Sequence, residues 1–301
     1  MFQGSLVALI TPMKANGDVD KKALHGLIDW HVAAGTHGIV SVGTTGESAT
    51  LDFDEHHQVI EETIKRVDGR IPVIAGTGAN ATKEAVELTR FGKDVGADGT
   101  LLVTPYYNKP TQEGLYRHYL EIASHVDIPM ILYNVPPRTA CDMSAETVVR
   151  IAKEVDHVVG LKEACGDANR IVEVRKLLGN SRDDFCIYSG DDGLTLEMFE
   201  LGSPGAMNGV ITVTANVFPE LMSNFCNSLL AGDRETAREI DATLQPIHKI
   251  LFCETSPIPT KWALNHLGRI DSGIRLPLVP LSDQFHEPMR EQLEKIAANG
   301  E

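Results

Sequence analysis

Lys162 closes the apolar run Val158-Val159-Gly160-Leu161. A lysine at the end of a buried strand is largely desolvated, and desolvation disfavours the ammonium form. The neutral amine attacks ketones, which is the first step of Schiff-base chemistry. The competing structural reading is a strand-end lysine paired with Glu163 or another acid. Other groups suit the same chemistry. Gly43-Thr44-Thr45-Gly46-Glu47-Ser48 combines hydroxyls with backbone N–H groups at the entrance to a helix, which suits a carboxylate. It lacks the Gly-Lys-Thr/Ser ending of a nucleotide-phosphate loop, and its glycines could equally serve turn geometry alone. Tyr133 and Tyr107 carry phenols able to pass protons, or are ordinary core and rim aromatics. Arg138 follows Pro136-Pro137, so a stiff loop presents its guanidinium either to a substrate carboxylate or to a surface acid.

Metal chemistry has little support. His56 and His57 are adjacent, so on a helix they point about 100° apart, and there is no H-E-x-x-H pattern. Asp191-Asp192 at a strand end is thin support for magnesium. No metal and no external cofactor are expected. The five cysteines, Cys141, Cys165, Cys186, Cys226 and Cys253, form no C-x-x-C pair and read as reduced thiols. Cys165 alone stands close to Lys162 in sequence.

These groups need a scaffold that gathers strand ends. Short apolar runs occur at 5–11, 38–42, 72–76, 99–104, 130–134, 157–162, 185–190 and 209–214. They are nearly continuously apolar, as strands buried on both faces of a parallel sheet are. Amphipathic patterns at 21–34, 54–66, 82–95, 111–125, 144–154, 167–178, 193–201 and 216–231 predict the intervening helices. The fold class expected is α/β, a (β/α)8 TIM barrel, whose active site lies at the C-terminal ends of its strands. A doubly wound open sheet fits less well, because no strand is followed by a G-x-G-x-x-G turn. Further helical patterns at 234–252, 256–267 and 286–298 exceed what a barrel needs. The chain is therefore divided into a barrel at 1–232 and a C-terminal helical extension at 233–301.

Among the 301 residues, 27 Lys and Arg stand against 42 Asp and Glu, a formal net charge of -15. So acidic a surface makes nucleic acid and anionic membrane poor partners. The N-terminal apolar run is short and lacks a basic segment before it, and no stretch approaches the ~20 apolar residues of a membrane span. A cytoplasmic location is expected.

Eight stretches together carry a family resemblance: GTTGESATL (43–51), RIPVIAGTGANAT (70–82), VTPYYNKP (103–110), ILYNVPPRT (131–139), GLKEA (160–164), SGDD (189–192), GVITVTANV (209–217) and PIPTKWAL (257–264). The chain closely resembles the dihydrodipicolinate synthase family of the N-acetylneuraminate lyase superfamily, over nearly its whole length. The resemblance implies condensation of pyruvate with L-aspartate 4-semialdehyde in lysine and diaminopimelate synthesis. It makes Lys162 the Schiff-base lysine and Tyr133 the proton shuttle, with Thr44 and Tyr107 as hydroxyl partners. Tyr107 is implied to reach in from a neighbouring subunit of a homotetramer, a dimer of dimers. Thr45 matches the group that holds the pyruvate carboxylate, Arg138 the arginine that receives the semialdehyde carboxylate, and Gly190 and Ile211 positions lining the pocket. Ser48, Ala49, His56, Asn80, Glu84 and Tyr106 match contacts of an inhibitory lysine at a subunit interface.

Two features depart from the family's pattern. Phe53 stands where lysine-sensitive members often carry histidine, and GSPGAMNGVITV (202–213) is longer than usual at the start of the eighth strand. Rival functions are an aldolase for sialic acid or keto-deoxy sugar acids, a non-catalytic small-molecule-binding homologue, and a metal-dependent barrel hydrolase. Arg138 argues against the first, the presence of both Lys162 and Tyr133 against the second, and the absence of strand-end His and acid clusters against the third.

Overall fold

The computed structural model describes residues 2–203 and 205–299. Pro204, within the long 202–213 stretch, and residues 300–301 of the extension lie outside the described residues. The strands are β1 (Gly4–Ala8), β2 (Gly38–Ser41), β3 (Val73–Gly76), β4 (Gly99–Val103), β5 (Met130–Asn134), β6 (Val158–Glu163), β7 (Cys186–Ser189) and β8 (Gly209–Thr212). They close in sequence order into one barrel, with β1 pairing in parallel to both β2 and β8. The fold is a TIM barrel.

Strand parity sorts the side chains. Leu6, Ala8, Val40, Ile74, Leu101, Ile131, Tyr133, Tyr188 and Ile211 fill the lumen, while Val7, Ile39, Val73, Val210 and their neighbours meet the surrounding helices. Both faces are therefore dry, which is why the runs read as continuously apolar. The helices are α1 (Lys21–Ala33), α2 (Phe53–Val67), α3 (Thr82–Asp94), α4 (Gln112–His125), α5 (Pro136–Thr139), α6 (Ala145–Glu154), α7 (Asn169–Leu178), α8 (Thr195–Leu201) and α9 (Pro219–Ala231). The segment around Arg138, expected as a stiff loop, is the single helical turn α5, with proline at its first positions. Proline fits there because its fixed φ is helical and its missing N–H is not needed at a helix start.

Helix α9 stops at Gly232, which takes the left-handed conformation at φ 76°. Asp233 then caps α10 (Arg234–Ile250), and α11 (Ile258–His266) and α12 (His286–Asn299) follow. Leu244, Ile247, Leu251, Leu264, Met289 and Leu293 share one buried cluster with Val7, Leu27 and Val210 of the barrel. The helices after 232 thus pack on the barrel's own outer shell. No described helix is long and apolar enough to cross a membrane.

Candidate active site

Lys162 and Tyr133 are paired residues on adjacent strands, and Lys162 also pairs with Tyr188 across β7. The first pairing depends on an irregularity: Met130 faces Val158, but Ile131 faces Gly160, so Val159 is an extra residue in β6. Without that bulge Tyr133 would face Leu161. With it, the Lys162 ammonium stands over the Tyr133 ring, 4.3 Å from its centre.

Lys162 is buried, and burial pulls its amine down to about 8, against the pull of Asp192. It forms no ion pair with Glu163. Glu163 points to the other face, where Asn134 donates to both carboxylate oxygens at 3.0 and 3.2 Å and the backbone N–H groups of Ala164 and Cys165 donate at 3.0 Å. Burial nevertheless pushes Glu163 up to about 7. Burial likewise raises the Tyr133 phenol, opposed by positive Arg138 and a hydrogen bond with Thr44. The phenol therefore keeps its proton at neutral pH.

Thr44, Thr45, Tyr133, Arg138, Lys162 and Gly190 line one cavity of about 800 Å³ above the strand ends. Gly190 leaves room for the lysine: a Cβ there would stand 2.9 Å from Lys162 Cε and 3.0 Å from the Glu163 carbonyl. Arg138 is exposed on the wall and makes no ion pair with any described residue. Ile211 lies one layer deeper, in the luminal cluster with Tyr133, and Val213 lines the cavity above it. Tyr107 stays outside: it is 90% exposed and takes the left-handed conformation at φ 73°. Backbone strain gathers at this rim, since Val42 (φ 55°) and Glu47 (φ 57°) bracket the Thr44–Thr45 turn.

A second cavity of about 380 Å³ lies alongside and contains Ser48, Ala49, His56, Glu84 and Tyr106. Thr44, Val135, Arg138, Thr255 and Ser256 line both cavities. Asn80 is not on its lining; its carbonyl accepts a hydrogen bond from Asn108 at 2.8 Å. Phe53 stacks edge-on against His57 at the start of α2.

The acids divide. Asp191 lines the larger of these two cavities, whereas buried Asp192 accepts from the backbone N–H groups of Val213 and Thr214 at 3.0 and 2.8 Å. Among the described residues no group of three or more His, Cys, Asp or Glu side chains could hold a metal. Cys165 is absent from the cavity wall, and burial pushes its thiol up to about 11. Sequence reasoning missed Gln245, His248, Lys249, Thr255 and Ser256, which close the cavity from α10 and the segment after it. No strand-end pattern marks them, because they come from an outer helix folded over the rim.

A family model described as the dihydrodipicolinate synthetase family matches residues 1–296. The chain belongs to this family. It is 55% identical over 295 residues to a protein of Alcanivorax borkumensis named 4-hydroxy-tetrahydrodipicolinate synthase, covering 98% of each chain. It superposes on the dihydrodipicolinate synthase of Acinetobacter baumannii, solved in complex with pyruvate, with a TM-score of 0.94 and 51% identity over 99% of each chain. The enzyme of Cyanidioschyzon merolae, solved with lysine bound, gives a TM-score of 0.92 at 36% identity over 98% of each chain.

Proposed function

We propose that the chain is a 4-hydroxy-tetrahydrodipicolinate synthase, a lyase that condenses pyruvate with L-aspartate 4-semialdehyde on Lys162. The observation that carries this reading is the Lys162–Tyr133 pair. A buried amine and a protonated phenol stand together at the base of a cavity whose wall bears Thr45 and Arg138.

The neutral Lys162 amine adds to the pyruvate ketone, and Tyr133 protonates the departing hydroxyl to give the imine and water. The imine withdraws electrons from the neighbouring methyl group. Loss of a methyl proton yields an enamine, whose carbon attacks the aldehyde. The substrate amine then adds to the imine carbon and displaces Lys162, which closes the ring and frees the enzyme. Thr44 relays protons to Tyr133, Thr45 holds the pyruvate carboxylate, and Arg138 receives the carboxylate of the semialdehyde. The lysine itself supplies the electron sink, so this route needs no external cofactor.

The exposed Tyr107 completes the relay of a neighbouring copy in a homotetramer. The second cavity takes free lysine at Ser48, Ala49, His56, Glu84 and Tyr106; a relative solved with lysine bound supports lysine as a ligand of this family. The product serves lysine and diaminopimelate synthesis in the cytoplasm.

Borohydride reduction with pyruvate, followed by peptide mass analysis, tests the reading. A reduced pyruvyl adduct on Lys162 is expected. Folded protein that yields no adduct would remove the synthase and the sugar-acid aldolase together.

A further inference from the structure

Glu47 lies two residues past Thr45 and its side chain is fully buried. A buried carboxylate is costly without a partner of opposite charge. Its partner is the ammonium of Lys261, itself buried, on α11. Lys261 also donates to the Gly273 carbonyl at 3.0 Å. Gly273 is pressed on the chain after β1, for a Cβ there would stand 2.1 Å from the Lys14 carbonyl oxygen. That close approach leaves no space for a side chain at the acceptor residue.

The same C-terminal segment grips the loop again. Arg275 donates through Nη1 to the Thr50 carbonyl at 2.9 Å and pairs with both oxygens of Glu55 at 2.5 and 2.6 Å. From the barrel side, the Thr11 hydroxyl donates to the Gly46 carbonyl at 2.7 Å. The Glu47 N–H donates to the Thr44 carbonyl at 3.1 Å, so the strained Glu47 backbone and Thr44 are mechanically one unit. Neither Lys261 nor Arg275 lines the catalytic cavity.

A buried ion pair is weak evidence for stability, because a well-packed apolar pair often does as well or better. What charge adds is direction: it fixes one position of Glu47 rather than a range. We propose that Lys261 and Glu47 are positioning residues for pyruvate, through which α11 holds the Thr44–Thr45 turn in the conformation that receives the substrate carboxylate. This rests on the reading of Thr45 as the carboxylate group and gives the C-terminal extension a part in substrate binding.

The test is the rate of borohydride trapping as a function of pyruvate concentration, with melting temperature measured alongside. The proteins are the wild type, Lys261→Met, and the double variant Glu47→Leu with Lys261→Met; only material that elutes as folded protein is assayed. Lys261→Met should need about tenfold or more pyruvate for half-maximal trapping, and the saturated rate should fall by a smaller factor, because Thr44 of the same turn serves Tyr133 while Lys162 and Tyr133 themselves are untouched. The double variant should regain wild-type melting temperature and keep the raised pyruvate requirement. Should Lys261→Met fail to fold, the double variant decides alone. A folded double variant that traps at wild-type pyruvate concentrations overturns the proposal and leaves the pair a structural element. Absence of an adduct in the wild type instead overturns the Schiff-base reading on which the proposal rests.

Discussion

With burial holding Lys162 at about 8, about a tenth of its amine is free at pH 7; a solvated lysine would offer about one part in three thousand. The trapping rate at fixed pyruvate should therefore climb from pH 6 and level off above about 8. A limb near 10.5 would contradict a desolvated amine. The same burial acts on folding. The native value lies below the unfolded one, so the unfolded chain binds the extra proton between about 8 and 10.5. Lys162 opposes folding fully below about 8, and the opposition fades as pH rises to 10.5. Lys162→Met should thus abolish turnover yet stabilise the fold at pH 7 by ~2–3 kcal/mol. Melting temperatures across pH should show that gain disappearing toward pH 10.5. At Gly190 an added methyl would meet Lys162 Cε and the Glu163 carbonyl. Gly190→Ala should slow imine formation by about a hundredfold, because a displacement near 1 Å at a reacting group has that scale of cost.

At the scale of elements, two short features place the cationic and nucleophilic groups. The extra residue Val159 in β6 brings Lys162 level with Tyr133. The single turn α5 puts Arg138 on the cavity wall, with Pro136 starting the turn. Arg138→Ala should leave pyruvate trapping unchanged and raise KM for the semialdehyde by about ten- to a hundredfold, the loss of one charge-assisted contact. Equal damage to pyruvate trapping would show that the arginine has another role. Helix α2 begins just past the catalytic turn with a capping box: Asp52 accepts from the Glu55 N–H at 2.8 Å and Glu55 from the Asp52 N–H at 3.2 Å. Asp52→Ala should cost about 1 kcal/mol in denaturant unfolding.

Over the whole molecule, the barrel alone does not enclose the cavity. Gln245, His248 and Lys249 of α10 cover it on one side, and among the described residues its lining sets the cations Arg138, Lys162 and Lys249 against the single acid Asp191, on a protein of net charge -15. A local positive field favours anionic small substrates while the acidic exterior repels polyanions. Tyr107 is 90% exposed in a single chain, and the proposed reading has it complete the relay of another copy. Activity per subunit should therefore fall on dilution through the dissociation range measured by sedimentation, and Tyr107→Phe should lower kcat without dissociating the assembly. Constant activity in a demonstrably monomeric fraction would remove Tyr107 from the relay.

The sequence by itself determined the barrel and most of the rim. Strands buried on both faces must be apolar throughout, so Lys162, Tyr133 and the Thr44–Thr45 turn stood out where those runs end. The helical periods at 21–34, 54–66, 111–125 and 144–154 placed those helix starts to within a residue, and the structure shows Asp20, Asp52, Thr111 and Ser144 capping them. Other features were settled only in three dimensions. The bulge at Val159 depends on pairing between strands, which periodicity along one strand does not encode. The turn at Arg138 is too short to show a helical period. The cavity wall from α10, and the reach of Lys261 back to Glu47, join residues more than two hundred positions apart. Such contacts are fixed by how the outer helices pack against the barrel, and a local pattern of residues carries no record of that packing.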